Sequence, residues 1–158
     1  MTRTHRHIRK TRIQGGFSLI EVLIALVIMS VGMLGIAGLY VEGMKAGRTS
    51  TFRHHAVTLA SDIADRIRAN PTGGVDYMGD PGDNNCVLGL VDCDPSQMAA
   101  HDIFLWEIQA AAMLPDGAVA ITYDNTVTPN TYQIDISWAE AGETTPPTYS
   151  IFIPVNQF

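Results

Sequence analysis

The chain has 158 residues, a formal net charge of −6 and 46% hydrophobic residues. That length accommodates one ordinary domain with an appendage and excludes a large multidomain enzyme. Charge is segregated: the 90 residues after Arg68 carry twelve acids and no Lys or Arg, a surface that repels phosphate backbones and argues against nucleic-acid binding.

At the start, Arg3, Arg6, Arg9, Lys10 and Arg12 precede any acidic residue. From Phe17 to Val41, Glu21 is the only charged side chain, and Val22 to Val41 supplies twenty uninterrupted uncharged residues. At 1.5 Å per residue these span about 30 Å, the thickness of a bilayer core. Lys and Arg before a first span resist translocation, so the expected topology is N-terminus in the cytoplasm and acidic C-terminal part outside. A secretory signal would place a small-residue cleavage site after its apolar core. Here Gly15-Gly16 comes before the core, and a glycine without Cβ lets an extended backbone enter a tight protease site.

This arrangement, GG-FSLIE, resembles the class III signal of type IV prepilins and pseudopilins. The resemblance implies that a membrane aspartic protease, the prepilin peptidase, cuts between Gly16 and Phe17 and methylates the new N-terminal Phe17. Residues 1–16 are then a cleaved leader and 17–41 a transmembrane and filament-core helix. Glu21 falls at the family's carboxylate position. A carboxylate in hydrocarbon is costly and signals a partner. The candidates are the α-ammonium of Phe17, its own (about 6 Å along the helix axis) or that of a neighbouring subunit, where pairing sets the register of assembly. Alternatively Glu21 simply complements the helix dipole near the headgroups. Gly32, Gly35 and Gly38, with a GxxxG spacing at Gly43 and Gly47, permit close backbone approach and weaken the helix by about 1 kcal/mol each.

Beyond the span, Phe52, Ala56, Leu59, Ile63 and Ile67 form an apolar stripe at helical spacing. No proline intervenes between Phe17 and Asn70, so one helix runs on through an amphipathic periplasmic half, 42–70, until Asn70-Pro71 and Gly73-Gly74 end it. The segment Ser61 to Pro71, SDIADRIRANP, is similar to the DMADRMRANP segment of PilV-type minor pilins, also called type IV pilus modification proteins. The block ALVIMSVGMLGIAGLY is similar to theirs as well. Taken alone, Asp62, Asp65, Arg66 and Arg68 read as a solvated helix surface with weak ion pairs.

Residues 71–158 leave an acidic head whose small core needs the helix stripe, a disulfide, or both. Cys86 and Cys93, separated by six residues in a compartment expected to be oxidising, are read as a disulfide; free thiols or half a metal site are the alternatives. Asp76, Asp80, Asp83, Asp92 and Asp94 have ligand types suited to calcium, but their spacing is not that of an EF-hand, and a solvated loop without metal is expected. Asp94 caps a second helix starting at Pro95, with Gln97 closing a capping box; it runs from about Ser96 to Leu114 with Leu105, Ile108 and Ala112 on its packed side and Trp106 in the core.

Three alternating runs follow: Val119, Ile121, Tyr123; Tyr132, Ile134, Ile136, Trp138; and Tyr149, Ile151, Ile153, Val155. They predict a one-sided antiparallel sheet on the upper half of the long helix. The expected fold is therefore α+β and type IV pilin-like, with a long membrane-spanning N-terminal helix packed on a small antiparallel sheet and a second short helix.

No residue set supports catalysis. His54, His55 and His101 have no motif company, and HExxH, P-loop and nucleotide-binding glycine patterns are missing. The chain reads as a substrate of an enzyme, with no cofactor. The resemblance implies a minor pilin held in the inner membrane and then incorporated in the pilus, cooperating with other minor pilins, the major pilin, the inner-membrane assembly platform and a pilus-tip adhesin in assembly initiation, adhesion or twitching motility. The alternatives are a type II secretion minor pseudopilin, a ligand-binding module, and a signal-anchored protein that never polymerises.

Overall fold

A computed structural model describes residues 15–88 and 91–155. The basic leader residues Arg3 to Arg12 lie outside them. By their contacts the described residues divide into two units, with the boundary between Met44 and Lys45. Helix α1, Leu19–Ala69, contributes to both. In the first unit its apolar side chains are exposed all round, from 47% for Val22 to 85% for Leu19. A helix apolar on every face, with no core of its own, is suited to lipid or to other helices, and α1 is long and apolar enough to cross a membrane. A methyl group added at Gly32, Gly35, Gly38 or Gly43 would meet open space.

In the second unit the expected stripe is buried. Ala56, Leu59, Ala60, Ile63, Ala64 and Ile67 belong to one core with Trp106, Tyr132, Ile134, Ile136 and Ile153, and Phe52 is partly covered. The helix stops where Pro71 disfavours helical geometry in the residue before it. The amide of Asn70 still reaches the carbonyls of Arg66 and Ile67. The next turn is tight, since a Cβ at Gly73 would lie 2.6 Å from the ring of Tyr77.

Residues 71–88 hold more regular structure than the expected solvated loop. Two short 3-10 turns form, Gly74–Met78 and Cys86–Leu88, and the first buries Tyr77. Helix α2, Pro95–Met113, starts on the expected capping box: the Asp94 carboxylate accepts from the Gln97 amide at 2.8 Å, and the Gln97 side chain accepts from the Asp94 amide at 3.1 Å. Its packed side differs from expectation. Ile108 is 52% exposed, Ala112 is exposed and Leu105 is only partly covered, whereas Ala99, Trp106 and Ala110 are fully buried. The indole of Trp106 stacks on Tyr77 at 5.7 Å, and seating this largest side chain sets the rotation of the helix.

Strands β1 (Ala118–Asp124), β2 (Asn130–Ser137) and β3 (Thr148–Val155) pair antiparallel in that order. The register aligns Ile121, Ile134 and Ile151 in one row, and Tyr123, Tyr132 and Ile153 in the next. These rows face the core, while Gln133, Asp135 and the 66% exposed Phe152 lie on the other face. Trp138 falls just after β2 and is buried. This is the expected α+β, type IV pilin-like arrangement.

Candidate processing and assembly site

Gly15 to Ser18 precede α1 without regular structure. The Ser18 carbonyl accepts the first helical bonds, from the amides of Glu21 at 3.0 Å and Val22 at 3.3 Å. Glu21 therefore sits in the first turn, at the positive end of the helix dipole. Phe17 is 85% exposed, and among the described residues no non-neighbouring atom lies within 4 Å of a Cβ built at Gly15 or Gly16. Phe17 and Glu21 line one shallow recess with Val22, Ala25, Leu26 and Met29, which brings Phe17 and the Glu21 carboxylate onto the same surface.

At the other end of α1, Arg66 does more than a solvated surface residue. Its Nε donates to Asp62 at 3.1 Å, as spacing alone suggests, but its Nη1 donates to the Oδ1 of Asp102 on α2 at 2.9 Å. Asp102 is buried, and its Oδ2 accepts from the Tyr77 hydroxyl at 3.2 Å. The Asn70 amide donates to that hydroxyl at 3.2 Å and to the Pro95 carbonyl at 2.9 Å. Arg66 and Asn70, four residues apart, thus fasten the end of α1 to the first 3-10 turn and to α2, with Asp62 holding Arg66 from within α1. Burial by itself lowers the Arg66 pKa, but the Asp102 hydrogen bond with the charges of Asp62 and Asp102 more than offsets this and raises it. Burial raises the Tyr77 phenol, so it stays a donor to the carboxylate. Arg68 and Asp65 form only an exposed pair at 3.2 Å. Sequence reading missed Tyr77 and Asp102; the four-residue step from Asp62 to Arg66 to Asn70 was the available signal.

Cys86 and Cys93 are joined, with S–S 1.99 Å and Cα atoms 5.7 Å apart. The segment just before the bridge lies on the start of α2: the Gly82 amide donates to the Ala100 carbonyl and the Asn84 side chain to that of Gln97, both at 2.9 Å. The acidic residues of this region take separate tasks. Asp76 lies in the first 3-10 turn, Asp94 caps α2, and Asp83 approaches the buried His101 with 3.4 Å between Oδ1 and Nδ1. Among the described residues, no three His, Cys, Asp or Glu side chains gather around one point. His101 and Asp102, adjacent in sequence, face different partners, Asp83 and Arg66.

Two family models match the chain. The prokaryotic N-terminal methylation motif matches residues 11–37, and the model described as Type IV pilin Tt1218 matches residues 38–104. No curated protein and no solved structure matches it significantly. The methylation motif entails processing by the prepilin peptidase and assembly with other pilins. The two matches abut and together cover residues 11–104, while the sheet at 118–155 lies beyond them: the chain carries an N-terminal methylation motif followed by a type IV pilin domain.

Proposed function

We propose that this pilin is a minor pilin of the PilV type. In this reading the leader 1–16 is removed between Gly16 and Phe17, Phe17 is N-methylated, and residues 17–41 hold the chain in the inner membrane with its N-terminus towards the cytoplasm. Residues 42–70 and the head 71–158 stand in the periplasm, and the chain then enters the pilus. There it joins other minor pilins and the major pilin on the assembly platform to initiate the filament, with Glu21 setting register against the Phe17 ammonium of a neighbour. The head is displayed near the tip with a tip adhesin, in support of adhesion or twitching motility. The chain acts by association, not catalysis.

The observation that carries this reading is the segment Ser61 to Pro71. It is similar to the corresponding segment of PilV-type proteins, and its Arg66 and Asn70 join the end of α1 to α2. Mass spectrometry of sheared filaments and of the cell envelope tests it, searching for the peptide that begins at methylated Phe17. Its presence in sheared pili supports the minor pilin. Its confinement to the envelope, with exoprotein secretion lost and piliation normal in a deletion strain, identifies a type II secretion minor pseudopilin instead.

A further inference from the structure

Strand β1 is one edge of the sheet, and Tyr123 shows which of its backbone groups face outward: its amide donates to the Sδ of Met78 at 3.2 Å, away from β2. Antiparallel pairing alternates, so the amides and carbonyls of Val119 and Ile121 point to the same outer side, while those of Ala118, Ala120 and Thr122 turn to β2. Among the described residues Val119 and Ile121 meet no backbone partner on that side. Between this open edge, Met78 and the α2 residues Ile103, Trp106 and Glu107 lies a cavity of about 220 Å³. Small-molecule sites run to about 300–1,000 Å³, so this space suits a side chain better than a free ligand. The opposite edge is blunted. By the same alternation the outward amides of β3 belong to Ser150, Phe152 and position 154, where Pro154 has no N–H to give. Proline on an edge opposes further pairing, and β1, AVAITYD, carries neither proline nor lysine.

Charge selects the occupant. Exposed Glu107 forms no ion pair among the described residues, Asp116 and Asp124 flank and end β1, and no Lys or Arg follows Arg68. A second copy pairing through its own β1 would set like charges against these, which opposes self-association at this edge. We infer that the outer edge of β1 takes an extended, basic segment of a partner protein as a fourth strand, by β-strand addition. The backbone of that segment bonds to the amides and carbonyls of Val119 and Ile121. Its side chains two residues apart share a face, so an apolar one enters the cavity while a Lys or Arg next to it on that face meets Glu107. The added strand is short, because beyond Ile121 the Tyr123 amide already belongs to Met78. This binding strip goes beyond the pilin role proposed above and does not depend on it.

The test uses the full chain in detergent micelles and a short capped peptide with Lys and Val alternating at its even positions and Thr at the odd ones. At about ten times its Kd the peptide should slow amide exchange of Val119 and Ile121 about tenfold, read by NMR, and leave Ser150 and Phe152 on the other edge unchanged. Methylating every second amide nitrogen of the peptide blocks binding in one of the two alternate sets and spares it in the other, because only one edge of the peptide meets β1. Glu107→Gln weakens binding about threefold, the scale of an exposed ion pair. Val119→Pro abolishes it with circular dichroism and the disulfide unchanged, since the nitrogen it alters faces away from β2. The two methylated sets and Glu107→Gln decide the matter independently of how Val119→Pro folds. Protection that misses Val119 and Ile121, or spreads evenly over the head, overturns the proposal. So do equal binding by both methylated sets, equal binding by a peptide with Glu in place of Lys, and binding that survives Val119→Pro. Concentration-dependent protection of Val119 and Ile121 without peptide assigns the edge to a second copy and also overturns it.

Discussion

Arg66 Nη1 lies 2.9 Å from Asp102 Oδ1, an ion pair across 36 residues of sequence in which the carboxylate side chain is 3% exposed and the guanidinium 32%. Removing the cation leaves a buried carboxylate uncompensated. A fully buried pair broken this way costs about 3–5 kcal/mol, and solvent around Arg66 reduces the expected loss for Arg66→Ala to about 2–3 kcal/mol. Replacing both partners by apolar residues, Arg66→Met with Asp102→Leu, regains most of it. Urea unfolding of the chain in detergent, followed by fluorescence of Trp106 and Trp138, measures both; equal midpoints for wild type and Arg66→Ala reject the assignment.

The Cys86–Cys93 bridge closes a short loop, with a sequence separation of 7. Loop-closure entropy for so few residues gives about 2.5 kcal/mol, near the low end for disulfides. Cys86→Ala with Cys93→Ala should lower the unfolding free energy by that amount while leaving the β1–β3 sheet formed, as urea titration measures. A loss twice as large would mean that the loop holds the head together by more than chain restraint.

Hydrogen bonds from the Gln97 amide and the Ser96 hydroxyl hold the Asp94 carboxyl below the ordinary aspartate value of 3.8. A carboxyl with a lowered folded pKa stabilises fully above its unfolded value, and that contribution disappears as pH falls through the folded one. The start of α2 should therefore loosen during acidification below the ordinary aspartate range. Asp94→Asn keeps an N-cap acceptor and should remove this step from the pH dependence of helicity, whereas Asp94→Ala weakens α2 at every pH. An unchanged acid profile in Asp94→Asn would place the proton elsewhere.

Gly16→Val should yield a stable chain that retains its leader, because no neighbour lies within 4 Å of the new side chain's Cβ and the fold has nothing to lose. The block then resides in the peptidase site, where the β-branched side chain opposes close approach of the backbone. Immunoblotting for the uncut form checks this; normal cleavage would show that glycine is not required.

Glu21→Gln should leave cleavage intact and reduce recovery in sheared filaments roughly tenfold, the equivalent of about 1.4 kcal/mol of lost docking. The glutamine keeps shape and helix position but cannot form an ion pair with an ammonium. Recovery equal to wild type would return Glu21 to a local role at the helix dipole.

Features that repeat along the chain are legible in the sequence alone. The stripe from Ala56 to Ile67, the capping box of Asp94 and Gln97, and the alternation of the three strands are local patterns, and each element appears within a residue or two of its expected bounds. The rotation of α2 is not legible, because PSQMAAHDIFLWEIQAAAM is apolar on most sides and only the stacking of Trp106 on Tyr77, 29 residues earlier, decides which face turns inward. Asp102 escapes notice for the same reason: its partners Tyr77 and Arg66 lie 25 and 36 residues away. The processing site is different again. Its string from Gly15 to Glu21 is read directly, yet the group that Glu21 is proposed to meet belongs to another chain and leaves no trace in the folding of this one.

Arg68 sits in the last turn of α1, 55% exposed, and beyond it the head offers no Lys or Arg. Trypsin can therefore trim the helix but finds no bond to cut in the last 90 residues, however far the head unfolds. The head leaves a tryptic digest as one fragment beginning at Ala69, too large for routine peptide mapping. Aspartate-directed cleavage is the route to seeing it, and a secreted protease of tryptic specificity would sever the head from its helix without degrading it.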